Sequence, residues 1–205
     1  NFKRRYFREI REKLMENPRK LALTSLIKAE QVSSYSNIEV NNVISRSDMS
    51  KLDASLYTAL FLGVTERLIT LDYVISKCSE KPVSELDLET KNALRIGFYQ
   101  LLYMDRIPEY SAVSETVSIC PKKSKGYVNA CLREFLRREK QFDLPEDEWE
   151  ALSIKTSIPS DILNIFRASY GDECAKEIVL SIKPKKGVTA RRNTLKISAS
   201  EFERL

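Results

Sequence analysis

From Lys125 to Arg138 the sequence KGYVNACLREFLRR repeats apolar residues at the period of an α-helix. Val128, Leu132, Phe135 and Leu136 fall at i, i+4, i+7 and i+8, one stripe, while Asn129, Arg133, Arg137 and Lys140 follow the opposite side. A segment so patterned buries one face and leaves a cationic face in water. A second block, LRIGFYQLLYMDRIP from Leu94 to Pro108, is apolar on most sides and reads as a central helix. Five glycines and seven prolines in 205 residues interrupt such runs rarely, so the class is mainly α. Lysine and arginine on a helix surface are ordinary solvated residues, so spacing alone leaves a binding face and a plain wet face both open.

Local start signals divide the chain into helices. Asn17 before Pro18 caps a first helix running to about Gln31, with Ala22, Leu23, Leu26 and Ala29 inward and Lys20, Thr24, Lys28 and Gln31 outward. A short helix follows over 37–46. Ser50 and Asp53 form a capping box that launches a long stretch through Leu56, Leu60, Val64, Leu68 and Leu71, expected to break near Thr70. Asp87 caps the central helix, whose polar stripe reads Asn92, Arg95, Tyr99, Tyr103 and Arg106; it suits base stacking and internal docking equally. Helices over 109–119 and 125–140 complete a bundle of six or seven. Beyond the QFDLPEDEW boundary come helices over 146–155, 159–169 and 172–183. VTARRNTLK then reads as an edge strand, and a last helix is capped by Ser198 or Ser200.

The resulting division is a basic extension over 1–16, a helical bundle over 17–141, a helical linker over 142–186 and the truncated start of an α+β subdomain over 187–205. A chain of this size can bury about 70% of its unfolded surface. Charge is segregated. Residues 1–20 hold eight Lys/Arg against three Asp/Glu and so carry the whole net charge of +5. Lys122 to Lys140 holds seven cations against two acids, Lys183 to Lys196 six against none, and five carboxylates lie between Asp143 and Glu150. Such patches point to an anionic polymer. Cys78, Cys120, Cys131 and Cys174 form no CxxC pair and no histidine accompanies them, which argues against a metal site. With no signal peptide and no apolar run near the ~20 residues of a membrane span, the expectation is reduced thiols, a cytoplasmic location and no membrane partner.

The motifs D53…T58…L60…G63, ITLD at Ile69 to Asp72, LRIGFYQLLYMDRIP, GYVNACLR at Gly126 to Arg133, SIPSDIL with SYG around Pro159 and Gly171, and RRNTLK at Arg191 to Lys196 occur in this order. Together they resemble the NusB-like amino-terminal region of the RsmB (Sun) family of bacterial ribosomal RNA cytosine-5 methyltransferases, over most of 17–205. The resemblance implies a bundle of two helical halves that binds RNA, then a small α+β subdomain and a Rossmann-like methyltransferase domain. It also implies a parent that uses S-adenosylmethionine and two cysteines, one in a Pro-Cys pair, on 16S ribosomal RNA. This chain shows neither signature: its glycines are too scattered for a cofactor loop, and Cys120 precedes Pro121 rather than following a proline. The expectation is therefore no cofactor and no catalytic residue within these residues. Ala59, Glu66, Asp161 and Arg192 depart from the family pattern, and Glu66 removes a cation from the long helix.

The function so implied is an RNA-binding, substrate-positioning module, with ribosomal RNA and the parent's own methyltransferase domain as partners. The candidate RNA contacts are Arg19, Lys20 and Lys28 on the first helix, Lys122, Lys123 and Lys125 in the loop, Arg133 and Arg137 on the last bundle helix, and Arg191 and Arg192 beyond. Two rivals stand beside it. A NusB-like transcription antitermination factor would need none of residues 142–205. A structural scaffold would use Arg95 and Arg106 in internal ion pairs.

Overall fold

In the computed structural model, which describes residues 17–32, 36–182 and 191–202, Asn17 opens the first helix as expected: its Oδ1 accepts the backbone N–H of Arg19 at 2.9 Å. The basic extension expected over 1–16 lies outside the described residues. Helix α1 (Pro18–Val32) is followed by α2 (Ser36–Arg46), α3 (Lys51–Glu66), α4 (Leu68–Cys78), a 3₁₀ turn (Val83–Glu85), α5 (Leu88–Tyr103), α6 (Glu109–Ile119), α7 (Lys125–Arg137), α8 (Glu148–Thr156), α9 (Ser160–Tyr170), α10 (Asp172–Ser181) and α11 (Ala199–Phe202). The chain falls into two compact units that divide between Ile165 and Phe166.

In the first unit the expected caps form. Ser50 Oγ accepts the Asp53 backbone N–H at 3.1 Å and donates to its carboxylate at 2.7 Å, and Asp87 Oδ1 accepts the Thr90 N–H at 2.9 Å. The long stretch breaks at Arg67 (φ −120°, ψ 18°), three residues before the expected Thr70. Central helix α5 packs against α1, α3, α4, α6 and α7. Ala93, Leu94, Ile96 and Phe98 are fully buried, as are Val128, Leu132 and Phe135 of α7. Each of these side chains larger than alanine contributes about 1.5–3 kcal/mol on leaving water. Phe98 and Phe135 meet edge to face at 5.2 Å. Two glycines set the approach of the helices: a Cβ on Gly63 would overlap the Tyr99 hydroxyl, and one on Gly97 would lie 2.7 Å from Leu132 Cδ2.

Helix α7 ends at Arg137 rather than Lys140. Glu139 and Lys140 take positive φ values of 53° and 60°, which turns the chain, and Lys140 pairs with Glu109 at 2.8 Å instead of extending the outer stripe. Helix α8 packs on α4, where Ser157 Oγ accepts the Ile69 N–H at 3.0 Å.

In the second unit Gly171 (φ 75°) occupies a conformation open to glycine and precedes α10, which buries Ala175 and Val179. Ser198 and Glu201 cap α11 reciprocally: the Glu201 N–H reaches Ser198 Oγ at 3.3 Å, and the Ser198 N–H reaches Glu201 Oε2 at 3.0 Å. The edge strand expected over VTARRNTLK is not formed in its described part. Residues 191–193 are irregular and 194–196 form a turn, with Asn193 O accepting from Lys196 and Ile197. A strand needs a neighbour to take its N–H and C=O groups, and the described residues contain no strand. The α+β start is therefore not seen among them.

Candidate nucleic-acid interface

The predicted cations separate into groups once the helices pack. Lys20, Lys122, Lys123 and Lys125 gather where α6 ends and α7 begins. Lys20 Nζ donates to the Ile119 carbonyl at 3.4 Å, and the charges of Lys125 and Lys20 both act on the Cys120 thiol. Lys123 reaches Asp87 at 3.5 Å, with 71% of its side chain exposed. Ser124, the residue before α7, spends its hydroxyl on the Pro121 carbonyl and does not cap the helix. The first N–H groups of α7 and the positive end of its dipole thus stand among lysines, an arrangement that favours an anion.

Arg133 and Arg137 lie eight and twelve residues past Lys125 along α7, about 12 and 18 Å by helical rise. Arg133 is exposed and its Nε donates to Asn129 Oδ1 at 3.0 Å. Arg137 keeps 71% of its side chain exposed while its Nε donates to Glu134 Oε2 at 3.0 Å. The same carboxylate takes Arg138 Nε at 2.9 Å, and these bonds hold Glu134 below the ordinary carboxylate range.

The remaining candidates differ in setting. Arg19 is half-buried, and its Nε donates to Gln100 Oε1 at 2.8 Å; Gln100, 1% exposed, donates in turn to Thr116 at 3.0 Å. Burial pulls the Arg19 guanidinium below its usual range, against the raising charge of Glu115. Lys28 pairs with the buried Glu39 at 2.6 Å. Arg191 and Arg192 belong to the second unit, in the irregular segment before the turn.

The polar stripe of α5 resolves into an inner and an outer part. Asn92 and Arg95 are buried, at 0% and 6% exposure. Arg95 pairs with Asp72 and Glu30, and Lys91 pairs with Glu30 at 2.8 Å. Burial opposes the Arg95 charge, but the bonds and charges of Asp72 and Glu30 outweigh it and raise its pKa. Tyr103 is 38% exposed, and the Arg67 guanidinium lies 5.0 Å from its ring centre. Arg106 is exposed.

Sequence reasoning did not single out Lys77 and Tyr127. Together with Cys78, Arg137 and Arg138 they line a cleft between the end of α4 and α7. Only the packing of two helices about 50 residues apart creates it, and no local period signals it.

Cys120 and Cys131 offer no nucleophile. Cys120 is buried, donates to the Thr116 carbonyl at 3.1 Å and is pushed up to about 11 by burial; burial likewise pushes Cys131 up to about 11. Attack requires the thiolate, which burial disfavours. No described cluster of Cys, Asp or Glu could hold a metal ion, and no described helix is long and apolar enough to cross a membrane.

The family model described as the NusB family matches residues 16–137. The probable ribosomal RNA small subunit methyltransferase B of Bacillus subtilis (strain 168) is 33% identical over 191 residues, 90% of this chain and 42% of that protein. Its counterpart from Synechocystis sp. is 26% identical over 192 residues, 91% of this chain and 43% of the relative. The ribosomal RNA small subunit methyltransferase B of Escherichia coli O9:H4 is 30% identical over 129 residues, 61% of this chain and 29% of the relative. The chain thus spans less than half the length of these relatives. The crystal structure of PH0851 has a TM-score of 0.60 at 19% identity, over 91% of this chain and 43% of that one, which is a likeness of fold. Helix order, a buried α5 and a family match over more than half of its residues agree, and this chain belongs to the NusB family.

Proposed function

We propose that this chain is the RNA-binding and substrate-positioning part of a ribosomal RNA cytosine-5 methyltransferase, and that the parent uses S-adenosylmethionine. The observation that carries the reading is the likeness to a ribosomal RNA small subunit methyltransferase B over 90% of the chain, well past residue 137 where the NusB match ends. An antitermination factor built of the bundle alone would give no match beyond it. The described residues do not fit the cofactor or the chemistry: the described glycines include no clustered phosphate-binding loop, and Cys120 and Cys131 are buried and protonated. No step is assigned to them.

Binding by this chain is electrostatic. Lysines around the start of α7 and arginines along it release counterions from RNA, which orients the strand without choosing its sequence. Arg19 and Lys28 serve packing and pairing in this reading, and Arg95 supports the scaffold role that accompanies it. The test is fluorescence anisotropy with a labelled single-stranded oligoribonucleotide across a salt series. Affinity is expected to fall with salt at a slope of about −0.7 per phosphate neutralised. Arg133→Glu with Arg137→Glu is expected to cut affinity severalfold at unchanged helical circular dichroism. Salt-independent binding, or a double variant that binds as well as the parent chain, overturns the reading.

A further inference from the structure

The last turn of α4 and the outer flank of α7 enclose an open cleft of about 450 Å³ that general phosphate binding does not require. Cys131, 3% exposed, and the half-buried Cys78 line it together with Tyr127. Three cations, Lys77, Arg137 and Arg138, border it against the carboxylates of Glu80 and Glu134. Glu134 holds both guanidinium groups in place, and Arg138 is fixed further by donating to the Lys77 carbonyl at 3.0 Å. Arg137 remains largely in water, and it stands one helical turn past Arg133. The cationic stripe of α7 therefore runs to the mouth of the cleft.

The lining matches the parts of one nucleotide. Cations at the mouth suit a phosphate, the Tyr127 ring offers an aromatic wall, and, with the Ser79 hydroxyl bonded to the Tyr127 hydroxyl and to Lys81, the Glu80 carboxylate supplies the acceptor for a base edge. The volume lies in the lower half of the range of about 300–1,000 Å³ for small-molecule sites, room for a single nucleotide and not for a duplex. Proteins that read RNA sequence do so on bases splayed out of single strands. Resting on the RNA reading above, we propose that this cleft receives one nucleotide turned out of a single-stranded segment whose neighbouring phosphates lie along Arg133 and Arg137.

Ala130 lines the cleft, is exposed and carries neither charge nor a hydrogen-bonding side chain, so Ala130→Trp fills the space without altering the cationic stripe. With a mixed-sequence single-stranded decamer of RNA as the probe, Ala130→Trp is expected to weaken binding about fivefold or more, the loss of one stacked base. A second measurement uses the unmodified chain: iodoacetamide alkylation of Cys78, followed by mass spectrometry, is expected to slow at least severalfold when the decamer is bound. Alkylation of the exposed Cys174 in the same sample is expected to be unchanged and serves as the control. Full affinity in Ala130→Trp, or an unchanged Cys78 rate with RNA demonstrably bound, overturns the cleft proposal and leaves the RNA reading standing. Absence of RNA binding by the unmodified chain overturns both.

Discussion

Arg95 grips Asp72 with both edges of its guanidinium, Nε to Oδ1 at 2.6 Å and Nη2 to Oδ2 at 2.7 Å. The same side chain bonds Glu30 of α1 through Nη1, so one arginine of α5 joins α1 to α4 across the bundle. This fork geometry is specific to arginine and sets the two outer helices relative to the central one.

Removing Arg95 takes the two-edged partner from Asp72 and leaves Glu30 with Lys91 and Asn92 alone. Arg95→Ala is expected to cost about 2–3 kcal/mol, somewhat less than a fully buried pair because the Glu30 and Asp72 side chains keep 28% and 33% exposure. Urea unfolding followed by circular dichroism measures it. A loss below about 0.5 kcal/mol, the size of a surface pair, would show the network to be peripheral.

Acid weakens this network in a defined direction. Burial alone would raise the Glu30 pKa, but hydrogen bonds from Lys91 and Asn92 and the charges of Arg95 and Lys91 outweigh it and hold it below its ordinary value of 4.5. Asp87 is also held down, where the Thr90 bonds and Lys123 outweigh burial. A carboxylate depressed on folding contributes stability that is present above its unfolded pKa and lost as pH falls through the lower folded one. Stability is therefore expected to hold at neutral pH and to decline below about pH 5, and Glu30→Gln is expected to flatten that decline. Parallel pH curves for the two proteins would contradict the assignment.

Gly63 and Tyr99 are complementary in shape. Gly63→Ala puts a methyl into the space of the Tyr99 hydroxyl and is expected to cost about 1–3 kcal/mol by overpacking. The cost is expected to shrink when Tyr99→Ala is also present, since the clash is then gone. Additive losses in the double-mutant cycle would place the strain elsewhere.

On the reading proposed above, Arg19, bonded to Gln100, serves packing rather than RNA contact. Arg19→Met removes the bond to Gln100 and is expected to lower stability by about 1–2 kcal/mol while changing RNA affinity less than twofold. A large loss of affinity at unchanged stability would return Arg19 to the interface.

No methyl transfer to ribosomal RNA is expected when the 205-residue chain is incubated with radiolabelled S-adenosylmethionine, because the described glycines form no clustered cofactor loop and burial disfavours the thiolates of Cys120 and Cys131. Label in the RNA above a no-protein control would overturn this.

Helix starts were readable from the sequence because a cap is a bond between residues two or three apart: Asn17, Ser50 and Asp87 each cap where their side chains indicated, and of the alternatives Ser198 and Ser200 it is Ser198 that caps. The stripes of α1 and α7 were readable for the same reason, since burial on a helix repeats with its turn. The fate of each cation was not. Arg95 finds partners 23 and 65 residues away and Arg19 one 81 residues away, while Arg133 bonds within its own helix and stays in water. Local period gives all three the same appearance. The break at Arg67, the left-handed turn at Glu139 and Lys140 and the turn over 194–196 likewise had no signal in the local period. Sequence by itself determined the class and the helices; tertiary structure decided which charges hold the bundle together and which stay in water, because desolvation and pairing depend on neighbours brought together across the chain.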